Sequence, residues 1–229
     1  MGGLTVQEWQ AVELSLRVSA VATLSSLPFG IAIAHLLARR EFPGKALING
    51  LVHLPLILPP IVTGYLLLLV FGRRGTVGAL LEKVGIVLAF NWTGAALAAA
   101  VMAFPLMVRA IRLSIEAIDP GLEAAASTLG ASQLRVFLTV TLPLALPGVL
   151  AGAVLAFAKA MGEFGATITF VSNIPGQTQT LPSAIYSLLQ VPGAEPQAFR
   201  LIVISIVLAV GAILLSEALA ARLKKARLS

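Results

Sequence analysis

Lys159 and Glu163 stand four residues apart inside an otherwise apolar run, which puts an ammonium and a carboxylate on one face of a helix. Two roles are open to such a pair: a snorkelling structural ion pair, or a gate that responds to a passing charge. Lys159 lies about 24 Å along a helix counted from Pro143, near one face of a bilayer, where the structural pair is the less costly account. Pro55, Pro59 and Pro60 interrupt another apolar run and read as a hinge or as a static packing kink. His53 beside them is read as a hydrogen-bonded side chain, and His35 carries no functional reading. Covalent and metal chemistry find no footing. The chain has no cysteine, no HExxH, no GxSxG and no paired carboxylates within its apolar runs. An intramembrane phosphatase or protease is therefore disfavoured. GxxxxGK[ST] is also absent, so the chain has no P-loop of its own.

The elements that must position these groups are set by composition. Of 229 residues, 58% are hydrophobic and 11% charged, with a mean hydropathy of +0.96. Soluble domains carry about 25% charged residues. This is an all-α membrane protein, because lipid cannot satisfy loose backbone groups and the apolar runs are too long for barrel strands. Five segments are long enough to cross about 30 Å of hydrocarbon: 18–38, 47–71, 86–108, 142–160 and 201–221. An odd number places the termini on opposite sides. With the N-terminus outside and the C-terminus in the cytoplasm, ten Lys/Arg fall inside and six outside, the sense of the positive-inside bias. The net charge of +6 thus reads as orientation and attraction to an anionic leaflet, the tail Arg222, Lys224, Lys225 and Arg227 included, and not as nucleic-acid binding. Residues 161–200, with Pro175, Pro182, Pro192 and Pro196, are too polar to span simply. They read as partly re-entrant, with a short interfacial helix over 181–189. Asn91-Trp92-Thr93 matches a glycosylation acceptor by chance, and Trp92 reads as an interfacial anchor.

One connection is long, the inner segment 109–141. Asp119 is a helix N-cap with Pro120 at the first helical position, and Glu123 follows where the helix dipole favours a negative charge. Leu122, Ala125, Ala126 and Leu129 keep the spacing of a narrow apolar face, and Gly130 suits a left-handed close. Ser132 caps a second helix that carries Leu134, Phe137 and Leu138. The physics alone leaves two readings: an amphipathic linker on the membrane, or a docking element whose apolar stripe meets a partner protein.

The stretch EAAASTLGASQLRVFLTVTLPLALPG resembles the coupling motif of ABC importer permeases. Aligned on Gly130, the residues at the motif's positions are Ala125, Ala126, Gly130, Val140, Leu142 and Pro143. One departure is that Ala124 occupies the motif's Glu position, with Glu123 one residue earlier. A salt bridge expected of that Glu is thereby shifted or absent. Longer pieces, among them HLPLILPPIVTGYLLL and GEFGATITFVSNIPGQTQTLPSAIY, resemble the molybdate permease subgroup, with similar stretches in sulfate and tungstate permeases.

The resemblance implies a type I ABC importer permease, a single transmembrane domain over 1–229 with residues 109–141 as its coupling-helix loop. It further implies a homodimer in the bacterial cytoplasmic (inner) membrane, two copies of a cytoplasmic ATP-binding subunit that carries ATP and Mg, and an extracytoplasmic molybdate-binding protein. The chain itself would bind no cofactor and hydrolyse nothing. Alternating access would follow closure of the ATPase pair. A dianion in the path needs hydrogen-bond donors but not a trap. Path candidates are Thr63, Tyr65, Thr167, Thr169 and Ser172 as hydroxyls, Gly64 and Gly165 for close backbone approach, and Lys159 with Glu163. Each hydroxyl and glycine also fits the duller role of packing glue between helices. An autonomous channel or secondary transporter is the remaining alternative.

Overall fold

A computed structural model describes residues 4–228, with the side chains of 216, 217 and 219–228 outside the description, so the basic tail read above as an orienting charge cannot be placed. Every regular element among the described residues is helical. Helix α1 runs Val6–Arg39, α2 Lys45–Ile57, α3 Pro60–Phe71, α4 Gly78–Glu82 and α5 Trp92–Glu116. Then come α6 (Pro120–Thr128), α7 (Gln133–Val136), a π-helical turn (Phe137–Thr141) and α8 (Leu142–Met161). Helices α9 (Gly165–Val171), α10 (Leu181–Leu189) and α11 (Glu195–Leu228) complete the order. Among the described residues, four spans are long and apolar enough to cross a bilayer: α1, α5, Gln133–Met161 and Glu195–Leu215. The pair α2 and α3 makes a fifth only if a bend of 115° between them is counted within one span.

That bend departs from the single helix expected over 47–71. Pro55 is carried inside α2, but Pro59 and Pro60 are adjacent, and a residue before proline avoids the helical region. Leu58 and Pro59 are accordingly extended, at ψ 143° and 134°, and α3 restarts with Pro60 in its first turn.

Three other boundaries depart from the hydropathy windows, two outward and one inward. Helix α1 begins twelve residues early, at Val6, because Thr5 and Glu8 form a reciprocal capping box. Helix α5 starts at Trp92 instead of 86, since Phe90 takes a left-handed φ of 59° and Asn91 caps the helix by accepting from the Thr93 amide. It then continues to Glu116, so Arg109 and Arg112 are helical and the connecting segment shortens to 117–132. The expected short helix over 181–189 is α10.

The core is built where α1, α5 and α8 pack together. Helix α5 brings Ala95, Ala98, Ala99 and Ala103 to the contact, small side chains that let helix backbones approach. Arg17, in the first half of α1, lies over the ring of Trp92 at the start of α5 at 3.8 Å, and Arg39 Nη2 at the end of α1 donates to the Ile118 carbonyl just past the end of α5, so the two helices run parallel. Met161, at the end of α8, meets Ser19 and not Arg39, so α8 runs the opposite way. The bundle thus has one end holding Arg39 and α6, named the coupling end for the role expected of that segment, and a far end holding Glu8, Arg200 and α10.

Candidate coupling surface and translocation path

The coupling end is assembled from local chemistry first. Asp119 Oδ1 accepts from the Gly121 amide at 2.8 Å and starts α6, with Pro120 at its first position. Gly130 closes it at φ 84°, a conformation that a side chain would strain. The Ala131 amide donates to the Ala126 carbonyl there, and Ser132 Oγ accepts from the Arg135 amide to open α7. Beyond α7 the Leu142 amide reaches back five residues to Phe137, a π-turn placed just ahead of Pro143. Thr139 Oγ1 donates to the Arg135 carbonyl within the same turn.

Glu123 locks this hairpin to the bundle. Its carboxylate lies 2.9 Å from Arg39 Nε and accepts from Thr141 Oγ1 at 2.6 Å. Arg40 adds a second tie, donating to Gln133 Oε1 at 2.6 Å. Glu123, one residue ahead of the motif's Glu position, thus makes a salt bridge of its own. Arg39 and Arg40 entered the sequence reading only as orienting charge. Their partners lie 84 and 93 residues away, and no local signal pairs them.

Ala125 and Ala126 lie on α6, Val140 is half-buried in the π-turn, and Leu142 and Pro143 open α8. Leu129 is 89% exposed and Leu134 67%, with Leu122 and Leu138 also exposed. An apolar ridge on an anchored helical hairpin has the form of a knob for a concave partner.

The path candidates separate into two groups, with Ser172 and Tyr65 apart from both. Thr63 and Gly64 lie on α3, and Gly165, Thr167 and Thr169 on α9, the helix against which α3 packs. A Cβ on Gly64 would sit 2.5 Å from the Ala166 carbonyl oxygen, and one on Gly165 2.7 Å from Pro60 Cβ. Thr167 Oγ1 donates to the Phe164 carbonyl and Thr169 Oγ1 to the Gly165 carbonyl, so both protons are engaged within their own helix. Thr63 is buried, and its hydroxyl has no hydrogen-bond partner among the described residues. Lys159 Nζ and Glu163 Oε2 are 2.8 Å apart, and Glu163 also accepts from the Ala166 amide. That carboxylate, 2% exposed, ties the end of α8 to the first turn of α9. Ser172 ends α9 at φ 66°. Tyr65, also on α3, is exposed.

Comparison with known proteins accords with this architecture. Residues 26–225 match the family described as binding-protein-dependent transport system inner membrane component. The chain is 63% identical over 218 residues to the molybdenum transport system permease protein ModB of Escherichia coli (strain K12), covering 95% of each. It is 58% identical over 219 residues to ModB of Haemophilus influenzae, covering 95% of this chain and 96% of that one. Among solved structures it is similar to a bacterial ABC transporter that imports the acidic polysaccharide alginate, at TM-score 0.74 and 18% identity over 95% of this chain and 80% of the other. It is also similar to the MetNI methionine ABC transporter in an inward-facing conformation, at TM-score 0.70 and 15% identity over 94% of each. These structural likenesses bear on the fold. The chain belongs to the family of binding-protein-dependent transport system inner membrane components.

Proposed function

We propose that this chain is the membrane-spanning subunit of an ATP-driven importer that carries molybdate across the bacterial cytoplasmic membrane. The observation that carries the reading is the 63% identity to a molybdenum transport permease along 95% of both chains. The anchored hairpin with its exposed Leu129 and Leu134 supports it, as the surface on which a separate ATPase subunit would dock. Two copies of that subunit would serve a homodimer of this chain, and a molybdate-binding protein would deliver the ion on the far side. ATP and Mg belong to the partner; the chain itself is not an enzyme. The excess of basic residues supports a coupling end in the cytoplasm and an N-terminus outside. ATP-driven closure of the partner pair would pull the two hairpins together, and the Glu123–Arg39 tie would pass that motion to α1.

Sulfate is the second reading, favoured by 40% identity over 182 residues to the sulfate transport permease CysW of Synechococcus elongatus. Uptake of labelled molybdate by cells supplied with this chain and its partner subunits, with and without excess sulfate, separates the two. Uptake indifferent to sulfate supports molybdate. Uptake abolished by modest sulfate moves the substrate to sulfate.

A further inference from the structure

Helices α2 and α5 flank a cavity of about 280 Å³ at the coupling end, lined by Asn49, His53, Arg109, Arg112, Leu113 and Glu116. Arg109 lies about 25 Å and Arg112 about 30 Å along α5 from Trp92, so both sit near the coupling-side boundary of the hydrocarbon. Arg112 is pinned: its Nε donates to Glu116 Oε1 at 2.7 Å and its Nη1 to Asn49 Oδ1 at 3.1 Å. His53 Nδ1 lies 2.8 Å from the Asn49 carbonyl, which can only accept, so that nitrogen carries the hydrogen and Nε2 remains unused. Arg109 is exposed to the cavity and has no hydrogen bond or ion pair among the described residues.

We propose that this cavity is the coupling-side binding station of the transported ion, where Arg109 takes a tetrahedral dianionic oxyanion and Arg112 and the Asn49 amide supply further donors. The inference rests on the reading of the chain as an oxyanion importer. A guanidinium offers paired N–H groups that match two oxygens of such an ion. The local charge is also graded. Glu116 neutralises Arg112, leaving one net positive charge to meet a double negative, an attraction from which the ion can still leave. The threonines of α9 cannot serve this way, because their protons are already donated to their own helix. The plainer account is that Arg109 snorkels to lipid phosphates. It leaves unexplained why Arg112 is tied sideways to α2, and why Asn49 and His53 interrupt an otherwise apolar helix.

The test uses the complete importer, with ATPase and binding protein, in vesicles of phosphatidylcholine alone or with phosphatidylglycerol, and reads labelled molybdate uptake. Arg109→Gln should lower the initial rate by about tenfold to a hundredfold in both lipids, the worth of one hydrogen bond to a charged group. Arg109→Lys should keep part of the rate. Arg74→Gln, the same loss of charge at an exposed position outside the cavity, should leave it unchanged. Equal recovery of assembled complex by gel filtration shows that each variant folds. Wild-type uptake by Arg109→Gln would overturn the inference. So would a defect confined to vesicles containing phosphatidylglycerol, which would assign Arg109 to lipid headgroups. A wild-type complex that carries no molybdate overturns the functional reading itself, a result distinguishable from the other two.

Discussion

Glu123 on α6 and Arg39 at the end of α1 form an ion pair of 2.9 Å whose carboxylate also accepts from Thr141, so three elements converge on one side chain. Both side chains are less than one-fifth exposed, so solvent screens the pair only in part. Glu123→Ala should free the hairpin, cost about 1–3 kcal/mol in thermal unfolding of the purified complex, and depress transport more than ATP hydrolysis. Glu123→Gln keeps an acceptor for Thr141 and should fall between. Identical transport-to-hydrolysis ratios in wild type and Ala would remove the tie from the coupling route.

Leu129 and Leu134 are exposed on the hairpin and support none of the core, so their replacement tests docking and not folding. Leu129→Asp with Leu134→Asp should leave the chain's own thermal midpoint within about 0.5 kcal/mol of wild type, the usual range for surface substitutions. The same double variant should no longer copurify with the ATPase subunit, since each apolar anchor loses its buried contact and gains a charge to desolvate. Undiminished copurification would place the docking surface elsewhere.

What could be read ahead of the structure was chemistry confined to a few neighbouring residues. Asp119, Pro120, Gly130 and Ser132 each act on backbone within four positions, and the hairpin they predict is the one observed. Helix ends were misjudged because hydropathy stops at the first charge, whereas α1 carries Glu8, Glu13 and Arg17 on turns that continue past the apolar run. The prolines marked a break between α2 and α3, but nothing local gives the 115° bend or the contact of α3 with α9, about a hundred residues away. Residue type flagged Thr167 and Thr169 as donors. Only the structure shows that their protons are already engaged.

Gly64 and Gly44 separate two costs of adding one methyl group. At Gly44 the φ is 92° and the space is open, so Gly44→Ala should cost about 1–2 kcal/mol through backbone strain alone. At Gly64 the new Cβ would lie 2.5 Å from a carbonyl oxygen and 2.9 Å from Thr169 Cβ, neither of them the far end of a flexible chain. Helices α3 and α9 must part, so Gly64→Ala should lower the thermal midpoint well beyond Gly44→Ala. Equal effects would mean that the junction yields freely.

Glu8 and Arg200 join the first turns of α1 and α11 at 2.8 Å across 192 residues, with the carboxylate 6% exposed and the guanidinium 36%. Removing only the cation leaves a buried charge held by Thr5 alone, so Arg200→Met should destabilise the chain by about 1–3 kcal/mol, below the range for a fully buried pair because Arg200 is partly solvated. Adding Glu8→Gln removes the orphaned charge yet preserves the acceptor for the Thr5 amide. The double variant should therefore recover most of the loss, and amide hydrogen exchange in the first turns of α11 should return toward wild type. If the two substitutions simply add, the carboxylate is not paying a desolvation cost, and α11 is held at this end by the apolar contacts of Leu201 with α1 and α10.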